Sequence, residues 1–494
     1  MKKIILLCLI SFFSFQSVQA THLMGGDIWV EKDAFGHYFL MHQNFRDTLG
    51  IPAYGATAYV AYKWDNTTSA WVQVGTGTLP MDSATSGGLM LGMPYGVEEY
   101  NYESNALEID SLFAQNGNGL YRFAVTSCCR NAAILNLTAP GGDQLVISCE
   151  YEYDNSPTYV NESARFIAVP VIFGPVNQPW TYNPLPFDPD ADSLAWSPNT
   201  PYEGISAAGY INCAGYTTPS AAMAGPFTLN PVSGELTWTP DVIGNHVASF
   251  KIDEYRNGNL IGTSLRDMQY IVIDDSCSAN TQCVIPEFTE NNNSPYNTES
   301  NLNYKYVYYQ PGTPMHFMVN AYDNNPNDIL TMTAFSGLFQ LNTNAAFHFN
   351  QSGNGNEVIG HLNWTPDPSE TRDHIVVVRA NDGMYSTDFT VILKKGQAPQ
   401  SIPDAVENAN AFTVFPNPGA AGQSLNVRIE SNEILNNSVI HIYDIAGKVI
   451  HTQDLDKVNI GENVIELNTN LSSGYYVAEM SSDNIRFTSK FVVK

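Results

Sequence analysis

Basic residues are scarce in this chain. Lys and Arg number 22 against 49 Asp and Glu in 494 residues, a formal net charge of −27. A surface this acidic repels nucleic-acid phosphates and anionic membranes, so neither is expected as a partner. After the first twenty residues, no apolar run is long enough to cross a bilayer as a helix. There is no Cys-x-x-Cys, which argues against a structural zinc site. His-Glu-x-x-His, Gly-x-Ser-x-Gly and phosphate-cradling glycine loops are also missing. His22, His37 and His42 fit no zinc-protease spacing, and His37 and His42 read as residues in or beside a strand. These absences point away from an enzyme. A paired-carboxylate hydrolase needs no such motif, so a secreted hydrolytic or polysaccharide-binding protein is the alternative reading.

What is present begins with an export signal. Lys2 and Lys3 precede the apolar stretch Ile4 to Phe15, and Val18-Gln19-Ala20 is a small-residue cleavage site. Residues 1–20 therefore read as a signal peptide. Cys8 lies too early in the apolar run, after Leu7, to mark a lipoprotein. Cleavage leaves Cys128, Cys129, Cys149, Cys213, Cys277 and Cys283. An even count in an exported chain reads as disulfides. The expected pairs are Cys277 with Cys283, and Cys149 with either Cys128 or Cys129. Adjacent cysteines in a strand face opposite ways, so those two should not share a partner.

Short Tyr, Phe, Val, Ile and Thr runs alternate with Gly, Pro, Asn and Asp clusters, and sustained helical periodicity is nearly absent. The fold class is all-β, with tandem β-sandwich domains of Ig-like or cadherin-like type. The divisions are an N-terminal β-domain (21–155), one sandwich (156–284), a second (285–395), a linker (396–411) and a terminal domain (412–494). The two sandwiches read as diverged copies. Phe187-Asp-Pro-Asp-Ala-Asp-Ser-Leu194 precedes Gly234-Glu-Leu-Thr-Trp-Thr-Pro240, and Ala321-Tyr-Asp-Asn-Asn-Pro-Asn-Asp-Ile-Leu330 precedes Gly360-His-Leu-Asn-Trp-Thr-Pro366. In alternating strands, Trp238 and Trp364 are expected in the core rather than in a ligand groove.

The acidic turns are the candidate sites. Asp188, Asp190 and Asp192 stand at alternate positions around Pro189, and oxygen ligands of this kind suit a hard cation such as calcium. The position where an EF-hand needs a bidentate Glu is Asn199, so this is not that loop. Asp323 and Asp328, with Asn325 and Asn327, occupy the matching turn with less charge. The plainer alternative is a turn in which Asp and Asn bond their own backbone.

Two resemblances extend this reading. Thr21-His-Leu-Met-Gly-Gly-Asp-Ile28, Asn44-Phe-Arg-Asp47, Cys128-Cys-Arg-Asn131, Asp190-Ala-Asp-Ser-Leu194, Glu254-Tyr-Arg-Asn-Gly258 and Arg266-Asp-Met-Gln269 resemble the N-terminal region of gliding-motility-associated surface proteins. Thr48 stands where that family usually has Cys, so its cysteine pairing does not carry over. The resemblance implies a surface-exposed, adhesin-like role toward an unidentified surface ligand or glycan. The segment from about Phe412 to Lys494 is similar to type IX secretion sorting domains. The carrying residues are Pro416, Asn417 and Pro418, then Tyr443, Asp444, Gly447 and Lys448, then Gly474 and Tyr475, with Lys494 closing the chain. It implies recognition by the type IX translocon and removal of this domain, leaving the rest outside the cell or on the outer-membrane surface. Asp47-Thr48-Leu49, Asp82-Ser83-Ala84, Asp110-Ser111-Leu112 and Asp192-Ser193-Leu194 resemble O-glycosylation acceptors of such bacteria.

Overall fold

The computed structural model describes residues 23–48, 50, 53–89, 96–219, 227–274, 286–289, 305–341, 343–396, 412–431, 434–445, 447–467, 469–482 and 486–494. The signal peptide, His22, Cys277, Cys283 and nearly all of the linker lie outside the described residues. The chain divides into two compact units, Met1–Gly396 and Gln397–Lys494. Both are built from strands, as the sequence pattern requires.

The first unit opens with a hairpin of Leu23–Lys32 and Tyr38–Asp47. Its turn closes because Asp33 Oδ1 accepts from the backbone N–H groups of Phe35 and His37, and Gly36 takes a φ of +91°. The hairpin joins a long sheet in the spatial order Ala70–Pro80, Ala56–Asp65, Gly119–Cys128, Gln144–Tyr153, Asn259–Ile273, Leu23–Lys32, Tyr38–Asp47, Val97–Glu103. Ala106–Asn116 is the one α-helix among the described residues. Asn105 caps it by accepting from the Leu107 N–H, and Ile109 and Phe113, four residues apart, press onto the sheet. Phe113 stacks on Tyr153 at 4.1 Å and meets Tyr121 edge-on at 4.9 Å, filling the core with rings.

The division at 155/156 does not separate two bodies. Strand Asn259–Ile273 pairs in turn with Gln144–Tyr153, Leu23–Lys32 and, in parallel, Val171–Pro175 along one edge. Its other edge pairs with Gly244–Arg256 throughout. Fifteen extended residues span roughly 50 Å, enough for one strand to serve both halves. Residues of three of the sequence motifs quoted above, Asp27, Arg130 and Arg266-Asp267, meet at this seam. Arg130 forks onto Asp267 with bonds of 2.8 and 2.7 Å, and Arg266 forks onto Asp27, all four side chains being buried. Such bidentate pairs tolerate burial because every charge is matched and hydrogen-bonded.

The next part of the unit is a sandwich. One sheet runs Glu287–Thr289, Met315–Tyr322, Glu357–Trp364, Ala346–Gln351, and the other runs Lys305–Tyr309, Ser386–Lys395, His374–Asn381, Thr331–Ser336. Trp364 and Trp238 lie in the cores, 3 % and 1 % exposed, as the alternating pattern requires. Val377 belongs to the cluster of Trp180, Trp238 and Tyr270, so the two sandwiches share apolar packing. Asp388 cements the joint by accepting from the Asn183 N–H and binding Arg379 through both oxygens.

The second unit is a smaller sandwich with sheets Phe412–Phe415, Leu425–Ser431, Gly461–Leu467 and Val449–Val458, Leu435–Tyr443, Gly474–Ser481, Arg486–Val493. The segment holding Pro416, Asn417 and Pro418 is tied to the chain end. Asn417 Oδ1 accepts from Val492 N–H, Gly419 N–H donates to Val492 O, Gly419 O accepts from Lys494 N–H, and Lys494 O accepts from Ala421 N–H. Asp444 closes the Tyr443–Lys448 turn, accepting from Lys448 N–H on its side chain and from Gly447 N–H on its backbone. Gly447 has a φ of +78°, which a side chain would strain. Gly474 begins a strand in which Tyr475 is 69 % exposed while Tyr476 turns inward.

Candidate cation sites

Both acidic turns gather carboxylates from distant strands. In the first, Asp188 and Asp192 meet Glu254 of Gly244–Arg256, each offering one oxygen within 4.8 Å of the others. Asp190, expected as a ligand, turns aside: its Oδ2 accepts from Glu162 N–H and lies 3.7 Å from Arg256 Nη2. Asp188 Oδ1 accepts from Asp192 N–H, and Glu254 Oε2 accepts from Ala164 N–H. The second oxygens, Asp188 Oδ2 and Glu254 Oε1, are buried without a hydrogen-bond partner. Burial, then the Asp188 charge, pushes the Glu254 carboxyl up to about 8, and Asp188 rises to about 6 for the same two kinds of reason. This cluster already holds a cation. Arg256 donates to both oxygens of Asp192, to Asn161 Oδ1 and to Val160 O.

The second cluster brings Asp323 and Asp328 to Asp382, which lies in the turn after His374–Asn381. Asp323 is 1 % exposed. Its Oδ1 accepts from Asn325 N–H, while Oδ2 is buried without a partner. Asp382 Oδ1 accepts from Met384 and Tyr385 N–H. Burial first, and then neighbouring carboxylates, raises Asp323 and Asp382 to about 6 each. The charges that act most on Asp323 and Asp382 are other carboxylates. Three carboxylates converging on an orphaned buried oxygen fit a hard divalent cation better than the arginine-filled turn does. Glu254, Asp382 and the Arg256 clamp were not expected from the sequence. The only available signal was the position of Glu254-Tyr-Arg-Asn-Gly258 and Asn381-Asp-Gly383, each at the end of the strand that follows a Trp-Thr-Pro.

A cleft of about 510 Å³ adjoins the first cluster, lined by Phe187, Asp188, Asp192, Trp196, Arg372 and Lys394. The cysteines correct the sequence expectation. Cys128 bonds to Cys129 itself, while Cys149 and Cys213 are free and buried. Cys128 ends its strand, so the argument from opposite strand faces stops there. His42 is buried in its strand with Nδ1 on Asp27 O, and His37, just before it, pairs with Asp110 at 2.7 Å. Of the triplet hydroxyls, Ser83, Ser111 and Ser193 are exposed and Thr48 is half-buried.

The fold and the tail define an exported all-β protein. Residues 413–494 match the family model described as the secretion system C-terminal sorting domain, so the chain is handled by type IX secretion and delivered to the cell surface or beyond. No curated protein matches the chain. Among solved structures, it is similar to an endo-fucoidan hydrolase of glycoside hydrolase family 107 at 12 % identity and a TM-score of 0.16, with 65 % of this chain and 42 % of that one covered. It is similar to the N-terminal four Ig domains of Dscam1 at 10 % identity and a TM-score of 0.18, with 95 % and 99 % covered. The chain therefore spans less than half the length of the hydrolase. No helix among the described residues is long and apolar enough to cross a membrane.

Proposed function

We propose that the mature chain is a non-enzymatic surface protein acting in adhesion or surface structure, stiffened by calcium at Asp323, Asp328 and Asp382. The observation that carries this reading is the pairing of a sorting domain with a body in which a shared strand, shared core and buried ion pairs fuse the sandwiches. A fused body of this kind suits a load-bearing or ligand-presenting part. Calcium at the Asp323 cluster would lock a strand-end turn to the loop after Met315–Tyr322. The test is fractionation of the producing cells with mass spectrometry of both termini, alongside attachment assays of a deletion strain. The reading requires a chain on washed cells that starts near Thr21, lacks the segment after about Ala411, and whose deletion reduces attachment. A periplasmic chain retaining its tail overturns it.

A second reading rests on the cleft beside Asp188. Its lining combines the aromatic Phe187 and Trp196 with the charged Asp192, Arg372 and Lys394. That combination suits a polysaccharide segment. Turnover or retention of a glycan by the secreted chain, with loss on Trp196→Ala, would favour it over adhesion through another surface.

A further inference from the structure

The outward face of the sheet Met315–Tyr322, Glu357–Trp364, Ala346–Gln351 carries three histidines that no acidic turn explains. Strand alternation sends Phe317, Val319, Val358 and Leu362 into the core and leaves His316, His361 and His348 facing out. His348 stands directly across from His361, and His316 is diagonal to it on the other neighbouring strand. The rings form a stack. His348 and His361 have centroids 4.8 Å apart with planes 10° apart, and His316 and His361 are 5.4 Å apart at 17°. His316 Nε2 lies 3.2 Å from His361 Nδ1.

From these contacts we infer that this face binds a first-row transition-metal ion of the zinc, nickel or copper(II) class, with His316 Nε2 and His361 Nδ1 as ligands and His348 as the third. Two imidazole nitrogens bound to one tetrahedral ion at about 2.0–2.1 Å stand roughly 3.3 Å apart, close to the spacing already present. Imidazole nitrogen suits these ions and not calcium, so the site is chemically separate from the carboxylate clusters. The tautomer is also prepared. The Asn350 amide lies 3.2 Å from His361 Nε2. With its oxygen turned inward it accepts Nε2–H, leaving the Nδ1 lone pair facing His316, the arrangement metal-bound imidazoles use. His348, exposed on the edge strand, is stacked on His361 rather than aimed at the ion, so serving as the third ligand requires its ring to change rotamer. A fourth position stays open to water or to a donor from another molecule.

The experiment uses the full mature chain, stripped of metal and then saturated with calcium so that the carboxylate clusters do not compete. Zinc is titrated at pH 7.5 by calorimetry, and copper(II) electron paramagnetic resonance counts the bound nitrogens. One zinc per chain is expected. His361→Ala should abolish it, and His316→Ala and His348→Ala should each weaken it about tenfold or more and reduce the nitrogen count. All three side chains lie on the outer face, so metal-free melting should not change, and that control separates lost ligands from lost fold. Zinc stoichiometry and affinity unchanged in His361→Ala, or no zinc bound by the wild type at submillimolar concentration, would overturn the assignment.

Discussion

Replacing Asp323 by Asn tests the calcium site where it is most sharply defined. Burial and neighbouring carboxylates raise the Asp323 carboxyl from the ordinary 3.8 to about 6. An acid whose pKa is higher in the folded state binds its proton more tightly there. Without metal, stability therefore falls as pH rises from about 4 to about 6, and the loss persists above that window. The shift corresponds to at most about 3 kcal/mol, and water at the turn's rim screens it to roughly 1–2 kcal/mol. Calcium pairs the ionised form and offsets the loss, adding about 2.7 kcal/mol at a hundredfold excess over its Kd. Thermal melts in chelator should therefore drop by roughly 1–3 °C across that window, while melts in millimolar calcium should not. The calcium-minus-chelator difference should be small at pH 4.5 and full at pH 7.5. Asp323→Asn removes the ionisation, so its chelator melt at pH 7.5 should rise and its calcium increment shrink. Superimposed wild-type melts with and without calcium at pH 7.5, or an undiminished increment in the variant, would refute the reasoning.

Two further substitutions probe neighbouring parts of the body. Glu254→Gln removes a carboxyl raised to about 8 while keeping an oxygen for the Ala164 N–H. Because the folded-state pKa is the higher one, stability lost between about pH 4.5 and 8 should be recovered, so the pH 7.5 chelator melt should rise by a few degrees with the calcium increment intact. Trp238→Ala empties a site 1 % exposed beside Trp180, Phe227 and Tyr270. It should cost about 3–5 kcal/mol in denaturant unfolding monitored by circular dichroism.

The all-β class, the tryptophan cores and the duplicated acidic turns were legible because each rests on local pattern: period-two alternation, Trp-Thr-Pro strands and runs of Asp and Asn. The completed clusters were not. Glu254 lies more than sixty residues from Asp188, and Asp382 more than fifty from Asp328; only strand pairing brings them together. Asp190 misled because alternate spacing implies convergence only in a regular strand. Ala191 has a φ of +67°, and the turn there sends Asp190 toward Glu162 instead. The 155/156 boundary was drawn at a polar stretch, yet the strand that erases it lies a hundred residues later, at Asn259–Ile273. The vicinal Cys128–Cys129 bond escaped for a related reason: the strand-face argument assumes that the strand continues through both residues.

The two turns meet the same electrostatic problem in different ways, and that difference can be exchanged. In the first, Arg256 already supplies a positive charge to both oxygens of Asp192. In the second, other carboxylates are the charges that act most on Asp323, and its Oδ2 is left buried without a partner. Arg256→Ser should therefore convert the first turn into a metal-dependent one. Removing the guanidinium leaves the Asp192 carboxylate without its cation beside Asp188 and Glu254, whose carboxyls burial already raises to about 6 and about 8, and breaks the bonds to Val160 O and Asn161 Oδ1. In chelator at pH 7.5 the variant should melt well below the wild type. In calcium it should regain the electrostatic part but not the part held by the Val160–Asn161 loop, so its calcium increment should exceed the wild-type one. The same substitution placed on Asp323→Asn, where the second site is disabled, should still show the enlarged increment, locating the new response at the first turn. If calcium restores nothing to Arg256→Ser, the arginine is not standing in for a metal, and the two turns share a sequence pattern without sharing a cation-holding geometry.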